Sequence, residues 1–453
     1  MPAPSNMEAR SRLLLLGLDG LPLSLARDLA PELPNLARIV AKAGTVEAEL
    51  PELSPVNWTS LATGQGPEVH GVFGFSRLQA ESFDLSIVCA EDVACPTIFD
   101  HLGKHGLISR VINLPNTYPA RPLRGMLVSG FVAEQWEQSV YPPFLAHALP
   151  EYQLEADTIR GADDPAFLLQ ELHNTLRSRR QAVERLWPDL DWDVFVVVLT
   201  ETDRLFHFLY PAMTDSSHPW HAPCRSFLQE WDRLIGRILG LWDALPGPKR
   251  LMVMADHGFT TLRTEVDVNA WLRHNGFLRL STPAKDEWDA TAIAPESAAF
   301  ALDPGRVYLH TRERFPSGIL SPNEAKQLLP QLKQGLEALT FNGERVMERV
   351  FTKEELYRGP QQYRAPDLVC LAREGFDLKA KFDREQIFGT FGRTGAHTAH
   401  GAIFYDSHGW SPERMRHIGQ EVLRHFNISE SIGSPTDVGS LFPTNGAAGL
   451  ILA

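Results

Sequence analysis

The chain has no long apolar run. The longest near its start, residues 13–18 (LLLLGL), follows Arg10 and Arg12 and stops at Asp19. A secretory leader needs an apolar stretch of roughly 7–15 residues and a membrane span about 20, so neither is expected and the default compartment is the cytoplasm. Cysteine is scarce. Cys89, Cys95, Cys224 and Cys370 are the only four in 453 residues, with no C-x-x-C pair, which excludes a disulfide scaffold and a thiolate metal knuckle. Clustered positive charge is also missing: 43 Lys and Arg stand against 56 Asp and Glu, a formal net charge of −13, and no basic run exists to track a phosphate backbone. Binding to a nucleic-acid polymer is therefore not expected. Apolar and charged fractions of 43% and 22% are those of an ordinary folded chain and exclude a disordered or fibrous one.

What the chain has instead is a series of short apolar runs that end in polar residues or glycine. Residues 13–18 precede Asp19-Gly20, 110–112 precede Asn113, 126–128 precede Ser129-Gly130, 194–199 precede Thr200, and 251–254 precede Ala255-Asp256. Runs of this kind, rich in β-branched residues, fit strands buried on both faces of a parallel sheet. Helical patterns lie between them. Phe227, Trp231, Leu234 and Ile238 recur at steps of four, three and four and share one helical face. Asp164-Pro165 supplies a cap and a proline at the first position of a helix that runs to Trp187-Pro188.

The alternation predicts an α/β fold: a doubly wound, mostly parallel sheet flanked by helices, with its ligands beyond the carboxyl ends of the strands. The core is expected over residues 11–445. Two insertions are expected within it, a helical cap at about 136–190 and a loop-rich segment at about 266–365, after which 367–371 returns to the sheet.

Four clusters at expected strand ends carry chemistry. Asp19 follows the first run; a carboxylate there ligates a metal or caps the next helix. Asp203 and His207 lie at i, i+4, the spacing by which one helical face grips a metal, or by which a salt pair forms. Asp256-His257-Gly258 follows the 251–254 run, and Gly258 would permit a sharp turn there. Last comes Gly395-Ala-His397-Thr-Ala-His400-Gly401, where either histidine is a candidate ligand. Aspartate with imidazole suits two divalent ions, zinc or manganese, and two such ions a few ångströms apart clamp a phosphoryl group. Hydroxyl nucleophiles are on offer in the segment 51–64, with Ser54 opening an expected helix whose free N–H groups would face an anion. Ser54 would equally serve as a simple cap, and Thr59 is the second hydroxyl to consider.

In this order the motifs resemble the alkaline phosphatase superfamily. The match is nearest to its type I phosphodiesterase/nucleotide pyrophosphatase group and the related predicted phosphohydrolase/phosphomutase proteins. It is carried by Asp19-Gly20, Ser54 ten residues before Gly64, Pro67, His70-Gly71, Asp203-x-x-x-His207, Asp256-His257-Gly258 and the late glycine-flanked histidine. The resemblance implies that Asp19, Asp256, His257 and the Ser54 oxygen hold one zinc, that Asp203, His207 and His397 hold the other, and that Ser54 is the nucleophile. His397 is preferred to His400 because His397-x-x-x-Gly401 matches the family's ending. The implied activity is phosphodiesterase or pyrophosphatase chemistry on a small phosphate ester through a phosphoseryl intermediate. The alternatives are a phosphomonoesterase or phosphomutase on the same site, and a non-catalytic metal-binding protein. Two departures bear on substrate. Phe75 stands where nucleotide pyrophosphatases carry a phosphate-contacting Asn, and Ser54-Pro55 lacks the sulfatase pattern. Asn57 and Phe75 are the expected substrate-binding residues.

Overall fold

The computed structural model describes residues 11–428. Residues 429–445, which the sequence places at the end of the core, lie outside it. The main sheet is built from β1 (Arg12–Leu18), β2 (Gly44–Val46), β3 (Ser109–Leu114), β4 (Gly125–Ser129), β5 (Val140–Tyr141), β6 (Val194–Leu199), β7 (Lys249–Met254) and β8 (Ala402–Asp406). In space they run β2-β8-β7-β1-β6-β3-β4-β5. The five central strands from β7 to β4 are mutually parallel, while β8 and β5 pair antiparallel to their neighbours. Each of the five apolar runs read from the sequence is a central strand. β1, β6 and β7 are almost wholly buried because helices cover both faces.

Five helices matter for the site: α1 (Ser54–Thr63), α2 (Pro165–Leu186), α3 (Glu201–Leu209), α4 (His221–Asp243) and α5 (Met415–His425). Helix α4 buries Phe227, Trp231, Leu234 and Ile238 along one face, and Asp164 caps α2 by accepting the Phe167 N–H at 3.1 Å.

The insertions differ from expectation. Segment 136–190 is less a separate cap than part of the main body: β5 extends the sheet, and Leu168, Leu172, Leu176 and Val183 of α2 enter the same apolar core as β1 and β6. The second segment is a structured lobe. Strands Ala299–Leu302, Arg306–Leu309, Met347–Thr352 and Leu368–Ala372 make a four-stranded antiparallel sheet beside the helix Pro322–Glu337, with a core of its own around Phe300, Leu332 and Val350. The run 367–371 therefore joins this lobe and does not return to the main sheet. A short apolar run buried on both faces fits either sheet, and composition cannot choose between them.

Candidate metal centre and active site

Three neighbouring strands, β7, β1 and β6, end at one level, with Gly17 opposite Met254 and Leu18 opposite Leu199. The chain just beyond each supplies acid or imidazole: Asp19 after β1, Asp203 and His207 on α3 after β6, and Asp256-His257 after β7. His397 arrives on the strand Gly395–Thr398, which pairs antiparallel with the distant strand Gly258–Thr261 and sets His397 opposite Phe259. The glycine after His257 is needed for proximity rather than for a special turn, since a Cβ on Gly258 would lie 2.3 Å from Thr398 Oγ1.

The six side chains converge in two groups. In the first, His397 Nε2 lies 3.2 Å from Asp203 Oδ1 and 3.0 Å from His207 Nε2, and His207 Nε2 lies 3.4 Å from Asp203 Oδ1. A tetrahedral zinc with ligand bonds of ~2.0–2.1 Å has ligand-to-ligand edges of about 3.3 Å, so this triangle has the size of a metal face. In the second, His257 Nε2 is 3.4 Å from Asp256 Oδ2, 3.9 Å from Asp19 Oδ1 and 3.3 Å from Ser54 Oγ. Asp203 Oδ1, 3.8 Å from His257 Nε2, stands between the two groups.

Outer contacts fix which atoms face inward. Trp58 Nε1 donates to Asp19 Oδ2 at 3.1 Å and Gly20 N–H to Asp256 Oδ1 at 3.2 Å. The other oxygen of each carboxylate, Asp19 Oδ1 and Asp256 Oδ2, is buried with no hydrogen-bond partner. Two orphaned carboxylate oxygens beside an imidazole are costly unless a cation completes them. Trp58 reaches Asp19 because Gly17 leaves room; a Cβ there would lie 2.6 Å from the indole ring. His257 and His397 point Nδ1 at the carbonyls of Gly258 (3.0 Å) and Glu52 (3.1 Å). A carbonyl only accepts, so both rings carry the proton on Nδ1 and offer the Nε2 lone pair.

The charges agree. Burial, then the neighbouring Asp256 and Asp203, raises Asp19 well above the usual carboxylate range. Burial acts upward on Asp203 too, but His207, His397 and Arg204 outweigh it and hold that carboxyl well below the usual range. Burial pushes His207 and His397 down, keeping them neutral near pH 7, as a ligand must be. The donor set thus fits a pair of divalent cations.

Ser54 opens α1, the helix start expected from the sequence, and its hydroxyl lies 3.3 Å from His257 Nε2. His400 is elsewhere: exposed, and paired with Glu47 and Glu348. Thr59 accepts from Asn116 Nδ2 at 2.8 Å and is not in the cluster. Asn57 is fully buried, and its amide bonds the backbone of Glu49 and Leu53, holding the loop that leads into Ser54. Phe75 is half-buried edge-on to Phe131, on which the Arg204 guanidinium stacks 4.3 Å from the ring centre.

Sequence reading missed two arginines. Arg204 Nη1 donates to the outer oxygen of Asp203 at 2.8 Å, and Arg393 Nη1 lies 3.3 Å from His207 Nδ1. Arg204 adjoins Asp203 in sequence, but consecutive helical residues point about 100° apart, and only the length of the side chain brings the guanidinium back. Arg393 sits in a glycine-flanked loop with no signal of its own.

The family description "Type I phosphodiesterase / nucleotide pyrophosphatase" matches residues 13–402 of the chain. No curated protein sequence matches it significantly. Among solved structures, the chain is similar to phosphonoacetate hydrolase from Sinorhizobium meliloti 1021 (17% identity, TM-score 0.59, covering 92% of this chain and 96% of that one). It is also similar to murine ectonucleotide pyrophosphatase/phosphodiesterase 5 (13%, 0.54, 96% and 97%) and to alkaline phosphatase PafA (12%, 0.56, 94% and 96%). At these identities the likeness establishes a shared fold.

Proposed function

The chain belongs to the type I phosphodiesterase/nucleotide pyrophosphatase family and is a phosphoester hydrolase; from that premise we propose a two-metal phosphodiesterase or pyrophosphatase that works through Ser54. The observation that carries this reading is the Ser54 hydroxyl, 3.3 Å from His257 Nε2 and beside two orphaned carboxylate oxygens, with the Asp203/His207/His397 triangle adjoining. Asp19, Asp256, His257 and Ser54 would hold one cation and Asp203, His207 and His397 the other. Zinc suits these ligands best, with manganese second. When bound, the pair would polarise the phosphoryl oxygens and ease ionisation of a hydroxyl.

The residues then divide the work. Ser54 Oγ, at the amino end of α1, attacks phosphorus; the Oγ–P bond forms as the ester or anhydride P–O bond breaks, and the leaving oxygen takes the electron pair. In-line displacement puts that oxygen opposite Ser54, toward Asp203, His207 and His397. Water then cleaves the phosphoserine with the same geometry and frees Ser54. Ser54 stands at the first turn of α1, so the positive end of the helix dipole would face the transferred group. Diesters are favoured over monoesters because the nearest cation, Arg204, is engaged by Asp203 and Glu155, and Phe75 offers no donor to a doubly charged phosphate.

The test compares zinc-loaded wild type with Ser54→Ala on bis-p-nitrophenyl phosphate and p-nitrophenyl phosphate, with metal content measured in both. Wild type is expected to prefer the diester, and Ser54→Ala to lose turnover by at least about a thousandfold while keeping its metal. Full activity in Ser54→Ala would overturn the assignment of the nucleophile, and preference for the monoester would shift the reading to a phosphatase or phosphomutase.

A further inference from the structure

Two of the three histidines have Nδ1 anchored on a carbonyl; His207 does not. Its Nδ1 faces Arg393 Nη1 at 3.3 Å, and a guanidinium can only donate. In this arrangement His207 accepts at Nδ1 and carries its proton on Nε2, where His397 Nε2 and Asp203 Oδ1 receive it. A metal ligated through Nε2 requires the opposite tautomer, because a neutral imidazole with its Nε2 lone pair committed keeps its proton on Nδ1. The Nδ1–H and the Arg393 N–H would then oppose each other. Loading the site therefore deprives Arg393 of its acceptor.

The other acid near it does not replace that acceptor. Asp377 Oδ2 is 3.9 Å from Arg393 Nη1 and already has Lys379 Nζ at 2.7 Å. Arg393 is 36% exposed, at the rim of the group toward which the leaving oxygen departs. One imidazole ring separates it from the inner atoms of the centre. That is too far to grip the transferred phosphoryl oxygens and suits a group one or two bonds farther out.

We propose that Arg393 binds an oxyanion carried by the leaving part of the substrate, so that preferred substrates are diesters or anhydrides whose departing group is itself charged. The proposal rests on the reading of Ser54 and of the leaving side given above. It makes Arg393 a specificity residue: it contacts substrate and takes no part in bond making.

The test uses three substrates that share a phenyl phosphoryl group: phenyl 4-nitrophenyl phosphate, its 3-carboxy-4-nitrophenyl analogue, and P1,P2-diphenyl pyrophosphate. Zinc-loaded wild type is expected to favour the two with charged leaving groups. Their ranking separates carboxylate from phosphate recognition. In Arg393→Ala that preference should fall about tenfold, mainly through KM, the size expected for a hydrogen bond to a charged group, and Arg393→Lys should restore part of it. An equal loss on all three substrates would mean that Arg393 acts through His207 and would overturn the proposal. A readout without turnover is calorimetric binding of the carboxylated ester to zinc-loaded Ser54→Ala protein, with and without Arg393→Ala. If no ester is hydrolysed, the reading of the reaction fails, and this binding difference still decides the role of Arg393.

Discussion

Trp58 shows how much one side chain carries. It is 1% exposed, so its indole is core material, yet its one polar atom fixes which oxygen of Asp19 faces the centre. Trp58→Phe keeps most of the packing and deletes the hydrogen bond. The expected outcome is a fold that survives with metal affinity weakened by roughly 10–100-fold, the usual effect of losing a contact behind a ligand. Competition with a chromophoric chelator measures it; unchanged affinity would mean that Asp19 is oriented by other contacts. Aspartates at strand ends and the i, i+4 pair Asp203/His207 are visible in sequence because position on an element fixes direction. The role of Trp58 is not, since it depends on the space left by Gly17 on a different strand.

Among elements, α1 is held by a buried histidine outside the Asp/His cluster. Ser60 donates to Val56 O at 2.8 Å, so it must accept from His70 Nε2 at 3.0 Å, while His70 Nδ1 accepts the Val72 N–H at 3.1 Å. The ring is thus neutral, a brace between α1 and the turn at Gly71 and not the base of a serine nucleophile. Burial lowers it from its ordinary 6.5 to about 3. The unfolded chain then binds the extra proton between those values, so stability falls as pH drops through that window. Going from pH 8 to pH 5, wild type should lose about 2 kcal/mol more than His70→Gln, judged by urea unfolding at both pH values. Equal losses would show that His70 is protonated in the folded state.

Across the whole molecule, ion pairs to buried carboxylates tie α5 to the segment that leads into Ser54. Arg416 on α5 binds both Glu49 oxygens, at 2.7 and 2.5 Å, and Glu68 Oε1 at 2.6 Å; Glu49 in turn bonds the Asn57 amide behind Ser54. Arg416→Leu leaves two buried carboxylates unpaired, and a cost of about 3–5 kcal/mol in unfolding free energy is expected. A loss below about 1 kcal/mol would show the pair to be dispensable. The central strands and the acids and imidazoles just beyond them were legible in sequence because periodicity and strand-end position are local properties. The lobe around Phe300, the membership of 368–372 in it, and the Arg416 tie were not, since each is decided by which distant segment packs alongside.

The spread of the centre along the chain has a consequence in time. Asp19 and His397 stand about 380 residues apart, so at a synthesis rate of about 5–20 residues per second a ribosome takes roughly 20–75 s to pass from the first to the last. Through that interval the nascent chain displays acids and imidazoles but lacks His397. A cation captured early would meet a partial set of donors, and the full set forms only once the late strand Gly395–Thr398 has paired with Gly258–Thr261.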